Sequence, residues 1–130
     1  MQPFTITLTP RLYETDVMGH INNASIAAWF EVVRVRFLES LVEGGPAHGK
    51  NWTLASVHID FRGETFYGED VMASITQAKV GRTSLTLDCA MAQGERQTVE
   101  GRAVMVQWDP ETRKPCTVDE AVREKISALG

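Results

Sequence analysis

The sequence has no long apolar run, few cysteines and no excess of basic residues, and each absence excludes a class of protein. No stretch reaches the roughly 20 apolar residues that a membrane-spanning helix needs. The chain starts with MQPFTITLTP, which lacks the basic start and apolar core of a signal peptide, so we expect a cytoplasmic protein. The net charge of −4 argues against a broad nucleic-acid-binding face.

Potential metal ligands are also sparse. The two cysteines, Cys89 and Cys116, form neither a disulfide framework nor a zinc-binding spacing. Cys89 falls in an apolar strand pattern that is typical of a small buried side chain. The three histidines show no ligand spacing either. We therefore expect no metal and no other cofactor.

What is present is an ordinary globular composition, with 43% hydrophobic and 23% charged residues. A chain of 130 residues predicts one domain, residues 1–130, whose core is large enough to fold without disulfides. Apart from the region around one predicted helix, the chain mostly alternates apolar and polar residues with the two-residue period of half-buried strands.

A long helix is predicted from Asn22 or Asn23 to about Leu41 or Val42. An asparagine side chain accepts hydrogen bonds from the free N–H groups of a first helical turn, so either residue is a suitable cap. The Gly-Gly-Pro sequence at 44–46 would end the helix. Because apolar residues cover nearly all of its sides, this helix must be enclosed by other parts of the structure.

The remaining elements predict how it is enclosed. One strand, over residues 4–8, precedes the helix, and four follow between 52 and 108 with short turns that favour antiparallel pairing. A short surface helix is predicted at about 117–129, with Thr117 or Asp119 as its cap. This order predicts an α+β fold in which about five antiparallel strands wrap around one long helix. An open sheet edge favours pairing between subunits.

One acidic residue, Asp16, stands in the polar loop directly before this helix. The first amides of a helix are unpaired and carry partial positive charge, so they can hold a developing oxyanion while a carboxylate attacks or activates water. Gly19 allows close backbone approach, and its amide, or that of a residue just after it, is the candidate oxyanion donor. We interpret His20 as structural or pocket-lining, and Asn23 mainly as a helix cap.

Several short motifs accompany this loop. Around the predicted helix they are Tyr13-Glu14-Thr15-Asp16, Gly19-His20, Asn22-Asn23, Trp29-Phe30-Glu31 and Arg34. In the strands they are residues 61–70 and Val80-Gly81-Arg82-Thr83-Ser84. With these motifs, over roughly residues 4–108, the chain resembles the hotdog-fold thioesterases, specifically the 4-hydroxybenzoyl-CoA thioesterase-like group of small acyl-CoA thioesterases.

The resemblance implies hydrolysis of a small or medium acyl-CoA, or of an acyl carrier protein thioester, to the free acid and the thiol. It implies that Asp16 is the nucleophile or general base and that amides at the helix N-terminus form the oxyanion hole. It places the site at the subunit interface of a homodimer or homotetramer. The residues expected around the substrate are Tyr13, Gly19, His20, Asn22, Asn23, Ile26 and Glu31.

Two positions on the helix modify this expectation. Many relatives carry a tyrosine where this chain has Ile26, so we expect a differently shaped acyl pocket, along a channel that also involves Trp29. Glu31 and Arg34 are expected to form an ion pair, because an unpaired charge in a buried helix is costly. Since some other hotdog enzymes carry their catalytic carboxylate on the helix, Glu31 is the second candidate for the base.

The phosphates of coenzyme A require cations and backbone donors. The candidate residues are Arg62, Lys79, Arg82, Thr83 and Ser84. For each of the three cations, ordinary surface charge is at least as good an interpretation. The resemblance favours the segment 82–84.

Two other functions remain open at this point. A hotdog hydratase or dehydratase would pair a histidine with a carboxylate, which Asp16 and His20 could imitate. A non-catalytic acyl-thioester binding protein would bind the same ligand without turnover. The surrounding residues favour the thioesterase pattern over both.

Overall fold

The structure is a computed structural model that describes residues 1–41 and 51–130. Its elements in chain order are β1 (Phe4–Leu8), α1 (Asn23–Leu41), β2 (Asn51–Phe61), β3 (Val71–Val80), β4 (Ser84–Gln93), β5 (Arg96–Asp109), β6 (Lys114–Pro115) and α2 (Glu120–Ala128). A short 3₁₀ turn at Leu12–Glu14 follows β1. The predicted helix stop at 44–46, like Val42, lies outside the described residues.

The strands form one antiparallel sheet in the order β1-β3-β4-β5-β2, and the two-residue strand β6 pairs with β5. This confirms the predicted hotdog architecture and adds a sixth, short strand. β1, which is followed by Pro10, lies at an edge, where the missing N–H of a proline costs no ladder bond. β5 is long and lies between β4 and β2.

One side of α1 packs on the sheet. The buried stripe of the helix follows the three-to-four spacing of a single face and consists of Ile26, Phe30, Val33, Phe37 and Leu41. Gly101 on β5 lies directly under this stripe, because a Cβ built there would be 2.7 Å from a ring carbon of Phe30. The absence of a side chain at Gly101 therefore sets how closely α1 approaches the sheet.

The opposite side of α1 is exposed in the described residues. Ala27, Ala28, Glu31 and Val32 all face outward. The enclosure that the apolar composition predicts is therefore only partial within these residues, because one sheet can cover only one side of a helix. An apolar helix side left uncovered in this way is typical of a surface that another protein chain occupies.

Arg34 is the exception within the buried part of α1. Its guanidinium lies over the Phe30 ring at 4.6 Å, and within the described residues no carboxylate oxygen comes within 4.0 Å of it. The predicted Glu31–Arg34 ion pair is therefore wrong, since the Glu31 side chain points to solvent. Burial lowers the pKa of Arg34, and burial also raises the pKa of the nearby Cys89 thiol to about 12.

The second helix, α2, begins after Asp119 at residue 120. Asp119 occupies the N-cap position, although its side chain accepts from Gln107 and not from the helix. Within the described residues, neither α1 nor α2 combines the length and the apolar character that crossing a membrane would require.

Candidate active site

The loop that carries Asp16 folds back on its own carboxylate. Asp16 Oδ1 accepts hydrogen bonds from the backbone N–H groups of Met18 at 2.8 Å and His20 at 3.1 Å. The Asp16 N–H donates to the His20 carbonyl at 2.7 Å, and Gly19 adopts a φ of +82°, which a glycine tolerates at no cost. One carboxylate oxygen thus shapes the loop, while Oδ2 has no partner among the described residues.

The same loop is tied to the first turn of α1 through Asn22. The Asn22 side-chain oxygen accepts from the Ser25 N–H at 2.8 Å, which makes Asn22 the N-cap of the helix. Asn22 also donates through its backbone N–H and its side-chain amide to the Glu14 carbonyl, at 2.8 and 2.7 Å. The interpretation of Asn23 as the cap is therefore wrong, because Asn23 is the first residue of the helix proper.

Two amides at this helix start have no hydrogen-bond acceptor among the described residues, those of Asn23 and Ala24. The amide of Gly19 donates to the Asp16 carbonyl at 3.2 Å, and that of Ile21 donates to the Thr65 carbonyl at 2.8 Å. The N–H groups of Asn23 and Ala24 lie at the first helical turn, where the helix dipole adds partial positive charge.

A cavity of about 290 Å³ opens beside these groups. Its lining residues come from the loop, from the start of α1, from the last residue of β2 and from the segment after it. They are Asp16, His20, Ile21, Asn23, Ile26, Phe61, Gly63, Glu64 and Thr65. The structure thus brings four of the predicted site residues, Asp16, His20, Asn23 and Ile26, to one cavity. Gly19 in the loop and Asn22 at the cap belong to the same segment but do not line the cavity.

His20 faces a second carboxylate within this cavity. Its Nε2 lies 3.5 Å from Glu64 Oε2, and its ring contacts Phe66 edge-on with a centroid separation of 5.1 Å. These contacts fix the ring against the segment after β2. The structure therefore agrees with the interpretation of His20 as a residue that lines the pocket.

Tyr13 and Glu31, also predicted beside the substrate, do not line the cavity either. Tyr13 is 74% exposed, and its hydroxyl accepts from the Arg11 guanidinium at 2.6 Å. Glu31 lies two turns along α1 from Asn23, on the exposed side of the helix. Trp29, expected along the acyl channel, is buried and donates its indole N–H to Glu14 Oε2 at 2.9 Å.

The predicted coenzyme A residues lie in two different places. Arg62 is close to the cavity, but its guanidinium contacts Glu100 at 3.0 Å and Asp60 at 3.4 Å. Lys79 and the segment 82–84 lie at the opposite end of the sheet. Phe61 pairs with Val99 of β5, whereas Ser84 pairs with Val106, seven residues further along that strand, which corresponds to roughly 23 Å.

Glu14, Glu64 and Thr65 were not predicted as site residues from the sequence. Glu64 and Thr65 form a wall of the cavity because the segment after β2 crosses the Asp16 loop, through an Ile21–Thr65 hydrogen bond and a His20–Phe66 bridge. Nothing in the sequence pattern indicates this crossing. Glu14 accepts hydrogen bonds at both carboxylate oxygens, and its place two residues before Asp16 is a signal that could have found it.

The sequence of this chain is similar to those of known proteins. The sequence profile of one family, the thioesterase-like superfamily, matches residues 10–126. The uncharacterised protein YsmA of Bacillus subtilis (strain 168) is 27% identical over 117 residues, which cover 89% of this chain and 80% of YsmA.

Solved structures agree with this match. A predicted thioesterase from Bacillus stearothermophilus superposes with a TM-score of 0.90 at 28% identity, covering 98% of this chain and 96% of that one. A thioesterase from Thermus thermophilus, in complex with coenzyme A and zinc, superposes with a TM-score of 0.83 at 24% identity, covering 96% and 92%. With a family match across nearly its whole length and the same fold in these structures, the chain belongs to the thioesterase-like superfamily.

Proposed function

We propose that this protein is an acyl-CoA thioesterase in which Asp16 acts as general base or nucleophile. One observation carries the proposal: a carboxylate with one oxygen unpartnered among the described residues lines a cavity that is also lined by Asn23, the first residue of α1. Family membership supports thioester hydrolysis as the reaction. The coenzyme A bound to the Thermus thermophilus relative supports coenzyme A as the carrier of the acyl group.

The proposed chemistry uses the amides at the start of α1 and the Asp16 carboxylate. The thioester carbonyl lies against the Asn23 and Ala24 amides of the first helical turn, which have no acceptor among the described residues. In the general-base route, Asp16 Oδ2 takes a proton from water, and the water oxygen bonds to the carbonyl carbon. The C–S bond then breaks, and the coenzyme leaves as a thiolate. In the nucleophilic route, Oδ2 attacks the carbon itself, and water hydrolyses the resulting anhydride.

The acyl group occupies the apolar part of the same cavity. Ile26, Ile21 and Phe61 supply its hydrocarbon surface, and the volume of about 290 Å³ suits a small or medium acyl group. Ile26 is 3% exposed and lies one helical turn beyond Asn23, so its side chain limits the depth of the pocket.

We further propose that the working unit is a homodimer or homotetramer that pairs through β2. β2 is an edge of the sheet, and its apolar residues Leu54, Val57 and Phe61 are each more than 40% exposed. Trp52 and Thr53 of the same strand line a cavity with Val35 and Leu38 of α1. Such an edge, next to an apolar helix side, supports pairing with a second copy related by a two-fold axis.

Antiparallel pairing of two copies of β2 also accounts for the distant coenzyme A residues. It reverses the direction of the second sheet, so the Arg82–Ser84 turn of one copy comes to the end of the sheet where the other copy carries Asp16. The separation of roughly 23 Å within one chain is then no obstacle. Lys79 and the segment 82–84 would act on the phosphates across the interface.

Substitution of Val57 by Lys tests this assembly. A charge at this exposed edge position should dissociate the oligomer and lower thiol release in parallel, because each site then loses its partner surface. Sedimentation velocity gives the mass, and the same samples give the activity. Met72→Lys is the matched control, since Met72 is similarly exposed on β3 at 42%, against 47% for Val57. A monomeric wild type with full activity would contradict the proposal.

A second candidate function rests on the presence of His20 and two carboxylates in one cavity, which a hydratase could use. One assay separates the two functions. Wild-type protein is given a panel of aromatic, short-chain and medium-chain acyl-CoA substrates with a thiol reagent, and crotonyl-CoA is also followed by its enoyl absorbance. A thioesterase releases thiol, whereas a hydratase consumes the enoyl absorbance without it. Tight binding with neither signal would indicate a non-catalytic acyl-thioester binding protein.

A further inference from the structure

Glu14 makes more hydrogen bonds around the Asp16 loop than its position outside the cavity would suggest. Its Oε1 accepts from the Arg11 N–H at 2.7 Å, and its Oε2 accepts from the Trp29 indole N–H at 2.9 Å. Its carbonyl accepts both donors of Asn22. Glu14 therefore connects the 3₁₀ turn, the cap of α1 and the second turn of that helix.

These contacts control the two ends of the loop that carries Asp16. The loop is closed by a bridge between Thr15 and Ile21, the residues directly after Glu14 and directly before Asn22. Fixing Glu14 and Asn22 to each other and to α1 leaves the intervening segment little freedom to move relative to the helix. The distance between the Asp16 carboxylate and the Asn23 and Ala24 amides is thereby set from outside the cavity.

The Trp29 contact makes this arrangement rigid. Trp29 is 6% exposed and held by the core, so its indole N–H is a fixed point on the helix. A carboxylate that accepts from two N–H donors forms stronger bonds than a neutral acceptor. Catalysis depends on such rigidity, because a displacement of about 1 Å at the reacting groups can cost about a hundredfold in rate.

We propose that Glu14 is a positioning residue for the thioesterase reaction, holding Asp16 at its working distance from the helix amides through Trp29 and Asn22. This inference rests on the proposed function, since it assigns Glu14 a role through Asp16. Glu14 itself touches neither the substrate nor the reacting atoms.

The test is Glu14→Gln, alone and combined with Asp16→Asn. A glutamine of the same size has one acceptor oxygen, so its NH₂ group faces either Arg11 N–H or the Trp29 indole, and one bond is lost. We expect kcat to fall by about tenfold or more while KM changes by less than about twofold. In the Asp16→Asn background, Glu14→Gln should lower the residual rate no further, because there is no catalytic carboxylate left to position.

Trp29→Phe provides a second variant that leaves Glu14 intact. It should also lower kcat, and combining it with Glu14→Gln should add less than the sum of the two effects, as expected for partners in one hydrogen bond. Glu95→Gln, which makes the same chemical change at an exposed position in the turn after β4, is the matched control. Thermal unfolding and circular dichroism confirm that each variant is folded.

The outcomes distinguish a failure of the positioning role of Glu14 from a failure of the proposed thioesterase function. If Glu14→Gln kept the wild-type kcat, the positioning role would be overturned while Asp16 remained the catalyst. The same holds if Glu14→Gln lowered kcat by the same factor in the Asp16→Asn background as in the wild type. Full activity in Asp16→Asn alone would instead overturn the proposed function.

Discussion

Replacing Asp16 with asparagine should lower kcat for thiol release by about a hundredfold or more, the usual contribution of a general base or nucleophile. The substitution preserves the hydrogen bonds of the loop. The asparagine side-chain oxygen can still accept from the Met18 and His20 N–H groups, so the loop keeps its shape. What is lost is the second carboxylate oxygen, which has no partner among the described residues. Steady-state kinetics on the best acyl-CoA of the panel measure the effect.

Asp109→Asn is the matched control for this prediction. Asp109 Oδ1 also accepts a backbone N–H two residues ahead, that of Glu111 at 2.9 Å, in a turn after β5. The same chemical change in the same type of turn should leave kcat within about twofold of wild type. If Asp16→Asn hydrolysed the substrate as fast as the parent, Asp16 would not be the catalyst.

A second large effect is expected for the stability of the fold at Gly101. Substitution by alanine places a methyl group 2.7 Å from Phe30 Cε2 and 3.2 Å from the His58 carbonyl oxygen. Phe30 is fully buried and cannot turn away, so α1 must shift relative to β5. Overpacking of this kind typically costs about 1–3 kcal/mol. Urea-induced unfolding measures the loss, with the protein concentration held constant because an oligomer unfolds in a concentration-dependent way.

Two companion variants identify the cause. Gly63→Ala adds a methyl group whose nearest neighbour is 3.5 Å away, an ordinary contact, so its stability should remain within about 0.5 kcal/mol of wild type. In a Phe30→Leu background the aromatic edge is gone, and Gly101→Ala should cost less than half as much. An undiminished cost in that background would mean that the Phe30 contact is not the reason.

Much of the fold could be predicted because its signals are local. The asparagine cap and the three-to-four apolar spacing are local signals, and they predicted a helix that starts at Asn22 or Asn23 and ends at about Leu41 or Val42. The structure gives α1 as Asn23–Leu41 within the described residues. The alternation of single strands and the short turns between them predicted antiparallel neighbours. The placement of Asp16 beside the helix start is similarly local, because the six residues between Asp16 and Asn23 fold back on the Asp16 carboxylate through the Met18 and His20 N–H groups.

The rest of the candidate site depends on contacts between distant parts of the chain. Glu64 and Thr65 reach the cavity because the segment after β2 crosses the loop, and no periodicity encodes that crossing. The expected Glu31–Arg34 pair fails for a related reason. Three-residue spacing brings two side chains to neighbouring positions, but packing against Phe30 and the sheet directs the guanidinium inward while the carboxylate faces solvent.

The sequence by itself therefore determined the helix, the strands and the acidic loop that precedes the helix, since each arises from hydrogen bonds and apolar spacing among near neighbours. Only the tertiary structure decided which oxygen of Asp16 and which amides lack a hydrogen-bond partner among the described residues, and which residues line the cavity. Those properties depend on which donors and acceptors satisfy one another once the sheet has folded against α1. A backbone group is available to a substrate only when no other part of the chain has bonded it first.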